Sequence, residues 1–269
     1  MTTTTVDRPV SSVKGSYRLH SVIRMEWRKL RSVRSTWWTL AVFAAGMVGL
    51  AILIGLKAPA HPDPSYDPTE DGFAGLAIGQ LALGILGVLA LSTEFTSGSI
   101  RATFAAVPRR GWVLAAKAAV ITAVTLVAGE VFALASFAAG QAAARAALPH
   151  AGLHAALGQP GVLRAVLMAG AYPALIALIG LALAALIRHT AGAISAVVGV
   201  VFVLPLILLP LGEHSAVMKF LPEIIAENSL TAVKPVADSL SAGAGLGMLC
   251  LYAAVALAAG GWALARRDA

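Results

Sequence analysis

Between Ser92 and Gly111 the chain reads STEFTSGSIRATFAAVPRRG. A carboxylate, a series of hydroxyls, three arginines and a proline separate two apolar runs of about twenty residues or more. That is the length an α-helix needs to cross a hydrocarbon core of roughly 30 Å. Working outward, six such runs appear, at 37–56, 73–91, 112–139, 165–187, 191–211 and 242–265. They are apolar on every side rather than alternating, so barrel strands are excluded, and backbone groups in lipid must be satisfied within each segment. The expected fold class is therefore all-α, a polytopic membrane protein with six transmembrane helices. A content of 58% hydrophobic and 12% charged residues, with a mean hydropathy of +0.82, agrees.

The first run ends at KAPA, 57–60, which resembles a signal-peptidase site. A cleavable signal has a short basic start and an apolar core of roughly 7–15 residues. Here 36 residues precede a run of 20, so a retained helix is expected. The single cysteine, Cys250, rules out an intramolecular disulfide.

Six crossings put both termini on one side. Fifteen of the twenty lysines and arginines fall on that side, eight of them before the first span, and the positive-inside rule then makes it cytoplasmic. All five tryptophans, Trp27, Trp37, Trp38, Trp112 and Trp262, map to the same edge, as interfacial anchors do. Asp63, Asp67, Glu70, Asp71, Glu213, Glu223, Glu227 and Asp238 map to the opposite side. The formal charge of +7 is thus accounted for by a basic membrane edge, and nucleic acid is not an expected partner. Arginine outnumbering lysine, with abundant Ala and Gly, points to a bacterial cell membrane.

Residues 1–16 lack periodic apolar pattern and are expected to form a disordered tail. In the following segment, 17–36, Leu19, Val22, Ile23, Trp27, Leu30 and Val33 share one helical face and Arg24, Arg28 and Arg31 the other. This predicts an amphipathic interfacial helix, the plain alternative being a basic flank to the first span. Glu26 lies within the apolar face, where a carboxylate calls for a cation from a neighbouring element. In the loop 92–111, Gly98 ends the preceding helix and Ser99 is placed to cap a new one. Pro108 then forces Val107 out of the α region. Ile100, Phe104 and Val107 share a face, with Arg101 pointing away. A mere turn would need fewer residues.

The constellation of Glu94, SGSIR at 97–101, VPRR at 107–110 and Lys117 resembles the loop between spans two and three in membrane subunits of type-2 ATP-binding-cassette exporters. RMEWRKLRSVRSTWW, 24–38, is similar to the entry to their first span. Span count and order extend the resemblance over the whole chain. It implies that Ile100 to Ala106 is a coupling helix docked on a separate ATPase, with Glu94, Ser99, Ile100, Arg101, Phe104, Pro108, Arg109 and Arg110 forming the coupling site. Glu26, Trp27, Arg28 and Lys29 would belong to an elbow helix packed against it, Glu26 meeting Arg101 or Arg109. The outer loop, 212–241, matches the place of short re-entrant helices. Partners would be two ATPase copies, a second or related permease, and the bilayer. ATP and Mg would be bound by the ATPase and no cofactor by this chain.

Consistent with a transport subunit rather than an enzyme, no Gly-Lys pair occurs, so no Walker A loop exists, and no His-Glu-x-x-His is present. His150 and His154 have i, i+4 spacing without a third ligand, so no metal is expected. Glu130, deep in the third span, is a candidate lining of a transport path together with Gln80, or else an outer-interface residue satisfied by its neighbours. Lys117, five residues into its span, is expected to snorkel. Pro173, Pro205 and Pro210 interrupt spans four and five. Gly75 with Gly79, and Gly243 with Gly247, have small-x-x-x-small spacing. The rival class is an ATP-independent membrane protein, either a secondary transporter or a scaffold recruiting partners through the same basic face.

Overall fold

Helix α1, Leu19–Ser32, and helix α2, Arg34–Gly55, are joined by one extended residue, Val33 (φ −90°, ψ 123°), so the chain turns sharply as it enters its first apolar segment. The Trp37 indole N–H donates to the Arg31 carbonyl across this break at 3.1 Å. The computed structural model describes residues 18–59, 66–148, 154–211, 217–232 and 240–266. The N-terminal tail, His150 and parts of the 212–241 loop lie outside the described residues.

The remaining helices are α3 (Pro68–Asp71), α4 (Leu76–Thr96), α5 (Ile100–Ala106), α6 (Arg110–Ala147), α7 (Val162–Ile187), α8 (Thr190–Val198), α9 (Leu204–Leu208), α10 (Pro222–Leu230) and α11 (Ala242–Arg266). No strand occurs among the described residues. Six helical segments are long and apolar enough to cross a membrane: α2, α4, α6, α7, α11 and the stretch Thr190–Leu208.

The expected boundaries shift by a few residues in most spans and by more in the third. Helix α6 runs 38 residues to Ala147 instead of ending at 139, because its alanine-rich C-terminal turns find polar anchors outside the apolar band. Gln141 donates to the Pro68 carbonyl at 2.6 Å and accepts from the Ala155 amide at 2.8 Å. Around Pro205 the fifth segment relaxes into a π-helical turn, Gly199–Val203, before α9 resumes. An i→i+5 turn is one way a helix absorbs a proline that cannot donate.

Small residues bring the central helices together. A Cβ on Gly87 of α4 would stand 1.9 Å from the Ala177 carbonyl oxygen of α7, so these backbones touch directly. Such close approach is the usual basis of helix association where lipid removes a hydrophobic drive. Gly75 and Gly79 play the same part against Gly46 and Phe43 of α2, whereas Gly243 and Gly247 face no described atom within 4 Å. Of the two sequence patterns only the first is a helix contact among the described residues.

Two ends of the bundle are distinct. One gathers α1, α5, the starts of α2, α6 and α8, and the ends of α4, α7 and α11. Arg110 donates to the Leu264 carbonyl, Arg188 to that of Ala263, and Thr190 to Ser92. The tryptophans lie here, and Trp37, Trp38 and Trp262 are more than half exposed. The opposite end holds α3 and α10. Ile225, Ala226 and Leu230 bury α10 in the core, and the Tyr252 hydroxyl donates to the Phe220 carbonyl beside it at 3.0 Å.

Candidate functional site

The site grows from three ionisable residues that the sequence sets into otherwise apolar surfaces: Glu26 on α1, Glu94 near the end of α4 and Lys117 in the second turn of α6. Lys117 is 3% exposed, its Nζ lying 2.6 Å from Glu26 Oε2, 2.5 Å from Glu94 Oε1 and 2.9 Å from the Ala90 carbonyl. Lys29, one turn beyond Glu26, donates to Glu26 Oε1 at 3.1 Å, Glu94 Oε1 at 3.0 Å and Thr103 Oγ1 at 3.1 Å. The Thr103 hydroxyl in turn donates to Glu94 Oε2 at 3.1 Å.

An ammonium has three N–H donors and no acceptor. Both lysines use all three. Two cations and two carboxylates therefore form a closed, neutral cluster that joins α1, α4, α5 and α6. Buried charge is tolerated only when this complete, since desolvation costs several kcal/mol per ion and a missing partner leaves it uncompensated. Burial opposes the charged form of Lys29, but the Glu26 and Glu94 carboxylates outweigh it and raise its pKa above the ordinary lysine value.

Two expectations are corrected here. Glu26 meets Lys117 and Lys29 rather than Arg101 or Arg109, because Arg101 is on the exposed face of α5 and Arg109, just before α6, lies over the Trp112 ring. Lys117 does not snorkel: the carboxylates come to it. The signal was present in the sequence as three ionisable groups at one depth whose charges nearly balance.

Helix α5 is framed as expected. Gly98 adopts φ +70°, a left-handed conformation that glycine takes without penalty, and Val107 is extended (φ −130°, ψ 86°) ahead of Pro108. Ser99 differs. Its side chain does not cap α5 but lies 2.9 Å from the Ser97 hydroxyl, because its own backbone is already helical. Ile100 (3% exposed), Thr103 and Val107 fasten the helix to the bundle, and Phe104 is half-buried beneath the Arg110 guanidinium, 5.2 Å from its ring. Arg101, Ala102, Ala105, Ala106, Pro108 and Arg109 are exposed, Arg109 lying over the Trp112 ring at 5.0 Å. On α1, Trp27 and Arg28 are exposed while Val22 and Glu26 are buried. The buried stripe of α1 is thus narrower than its apolar face.

Gln80 and Glu130 have different surroundings. Gln80 is fully buried, accepting from the Tyr172 hydroxyl at 2.5 Å and donating to Glu223 of α10 at 2.9 Å. This polar bridge ties α4, α7 and α10 together. Glu130 is partly exposed and packs on Gly170 of α7, where a Cβ would approach its carboxyl carbon to 2.5 Å. No cluster of three or more potential metal ligands occurs among the described residues.

A short helix with one exposed face is bound through one saturated ionic cluster to the ends of two long apolar helices. Neither protein-family models nor curated proteins match this chain.

Proposed function

We propose that this chain is the permease subunit of an ATP-binding-cassette exporter of the type-2 class in a bacterial plasma membrane, with α5 as the lever on which a separately encoded ATPase acts. The end of the bundle that holds α1 and α5 would face the cytoplasm, on the charge asymmetry of the sequence. The observation that carries the reading is the four-charge cluster. A push on the exposed face of α5 passes through Thr103 to Glu94 of α4, and through Glu94 and Lys117 to α6. Arg101, Ala102 and Ala105 offer the contact surface, while Thr103 and Ile100 transmit it.

Two copies, or one with a related permease, would form the pathway. In this reading nucleotide binding draws two ATPases together, moves α5, and tilts α4 and α6 so that access shifts outward. The chain itself supplies no nucleotide site, consistent with its lack of a Gly-Lys pair. The test is affinity purification of the tagged chain from its native membrane in mild detergent. Recovery of a stoichiometric subunit with a Walker A sequence supports the reading. Recovery without any nucleotide-binding subunit, from cells in which the neighbouring genes are expressed, would favour the ATP-independent alternative.

A further inference from the structure

Beside the ionic cluster lies a cavity of about 580 Å³, bounded by α1, the first turn of α2, the last half of α4, α5 and α6. Its size falls within the roughly 300–1,000 Å³ range of small-molecule sites. One wall is apolar, formed by Leu86, Leu89, Val120 and Ile121 from the interior turns of α4 and α6. The other end is lined by hydroxyls, Ser35, Thr36, Thr93 and Ser97. Thr36 is 5% exposed as a residue and lines this space.

We propose that this cavity binds one membrane amphiphile with an uncharged, polyhydroxyl headgroup, its alkyl tail against Leu86, Leu89 and Ile121 and its head among the hydroxyls of Ser35, Thr36 and Ser97. Three observations on the cavity select that chemistry. The gradient from apolar wall to hydroxyl floor runs along the level where α2 leaves the exposed Trp37 and Trp38, residues that favour the membrane boundary. All six lysine N–H donors at the cavity edge are already taken, so no free cation awaits a phosphate. Both carboxylates are likewise engaged, so no free anion awaits an ammonium headgroup. Thr93 donates to the Leu89 carbonyl and Ser97 contacts Ser99, which leaves the Ser35 and Thr36 hydroxyls and the spare lone pairs of the other two to meet a glycerol or sugar.

Bound there, the amphiphile touches α1, α2, α4 and α5 together and stiffens the joint between the lever helix and the bundle. The inference goes beyond the exporter reading and does not require it.

The test uses the full chain purified alone, in a polyoxyethylene detergent that has no sugar head to compete. Glucosyl diacylglycerol and phosphatidylglycerol with matched acyl chains are titrated and bound lipid is counted by native mass spectrometry. We expect one glycolipid per chain, held on the order of tenfold more tightly than the anionic lipid, a difference of about 1.4 kcal/mol. Leu89→Trp, which fills the apolar wall, should abolish retention, and Thr36→Val should weaken it about fivefold, the value of one hydrogen bond. Leu126→Trp on the exposed face of α6 should change nothing.

Equal or better binding of phosphatidylglycerol, or unchanged binding by Leu89→Trp, would overturn the proposal. Should Leu89→Trp fail to fold, Ser35→Cys in a Cys250→Ser background decides: the glycolipid should slow its labelling by a soluble maleimide, and an unchanged rate counts against the site. Since no ATPase is present, these results are independent of whether α5 docks one.

Discussion

Lys117 Nζ lies 2.6 Å from Glu26 Oε2, a contact between residues 91 positions apart that seats α1 on α6. With Glu94 at 2.5 Å and the Ala90 carbonyl at 2.9 Å, the ammonium is fully satisfied. The pairing turns a carboxylate misplaced on an amphipathic helix into the anchor of that helix.

Lys117→Met therefore leaves Glu26 and Glu94 with Lys29 alone. Breaking a buried pair by removing one partner typically costs roughly 3–5 kcal/mol. We expect a large fall in melting temperature in detergent. Lys117→Arg should not restore it, because a planar fork does not reproduce three divergent donors. Lys29, with 37% of its side chain exposed, should be worth far less, and Lys29→Met should cost about 1 kcal/mol or under.

The exposed and anchoring faces of α5 should separate in mutagenesis. Arg101→Glu alters only outward-facing chemistry, so stability should change by less than about 0.5 kcal/mol while, on the exporter reading proposed above, ATP-dependent export should be lost. Phe104→Ala, half-buried under Arg110, should cost about 2 kcal/mol as well as function, below the range for a fully buried phenylalanine. Thermal melting and export, measured on the same preparations, distinguish the two.

Helix contact at Gly87 gives a sharper structural test. A Cβ there would lie 1.9 Å from a backbone oxygen of α7, and backbone cannot yield as a side chain does. Gly87→Ala should destabilise by about 1–3 kcal/mol or more, while Gly247→Ala, with open space around it, should be neutral. Equal effects in a paired unfolding assay would contradict the α4–α7 packing.

The α10 end should respond to acid. Burial raises the Glu223 carboxyl above the ordinary carboxylate range, with Glu227 adding to the rise and the Gln80 hydrogen bond opposing it. Burial likewise raises Glu70, with Glu227, Asp67 and Asp71 contributing. A carboxyl whose folded pKa exceeds its unfolded value favours folding most below the unfolded pKa. That advantage is lost as pH rises from the unfolded value, about 4.3, through the raised folded one. Hydrogen exchange in α10 should be slower, after correction for intrinsic rates, near pH 4 than near pH 7, and Glu223→Gln should flatten the difference.

The six long apolar helices were legible because runs of about twenty apolar residues are long enough to cross a bilayer as helices, and Gly98 and Pro108 delimit α5 by backbone chemistry that acts locally. The end of α6 was not legible, since its extension depends on Gln141 finding Pro68 and Ala155 in space. Ser99 failed as a cap for a similar reason: the residue type was right but the preceding glycine turn had already made its backbone helical. Lys117 was misjudged because snorkelling treats a helix alone in lipid. Two carboxylates from other helices were closer than water. Gln80 was singled out, yet its partners Tyr172 and Glu223 lie 92 and 143 residues away, beyond any local pattern.

The central claim, that α5 is gripped by an ATPase, is tested most directly by crosslinking from Ala102→Cys, an exposed position, in a Cys250→Ser background and in native membranes. The account expects a covalent adduct with a Walker A-containing subunit whose yield changes when nucleotide is added, and labelling of the cysteine only from the cytoplasmic side. Labelling by an impermeant reagent applied outside intact cells, with no nucleotide-binding protein in the adduct, would contradict it.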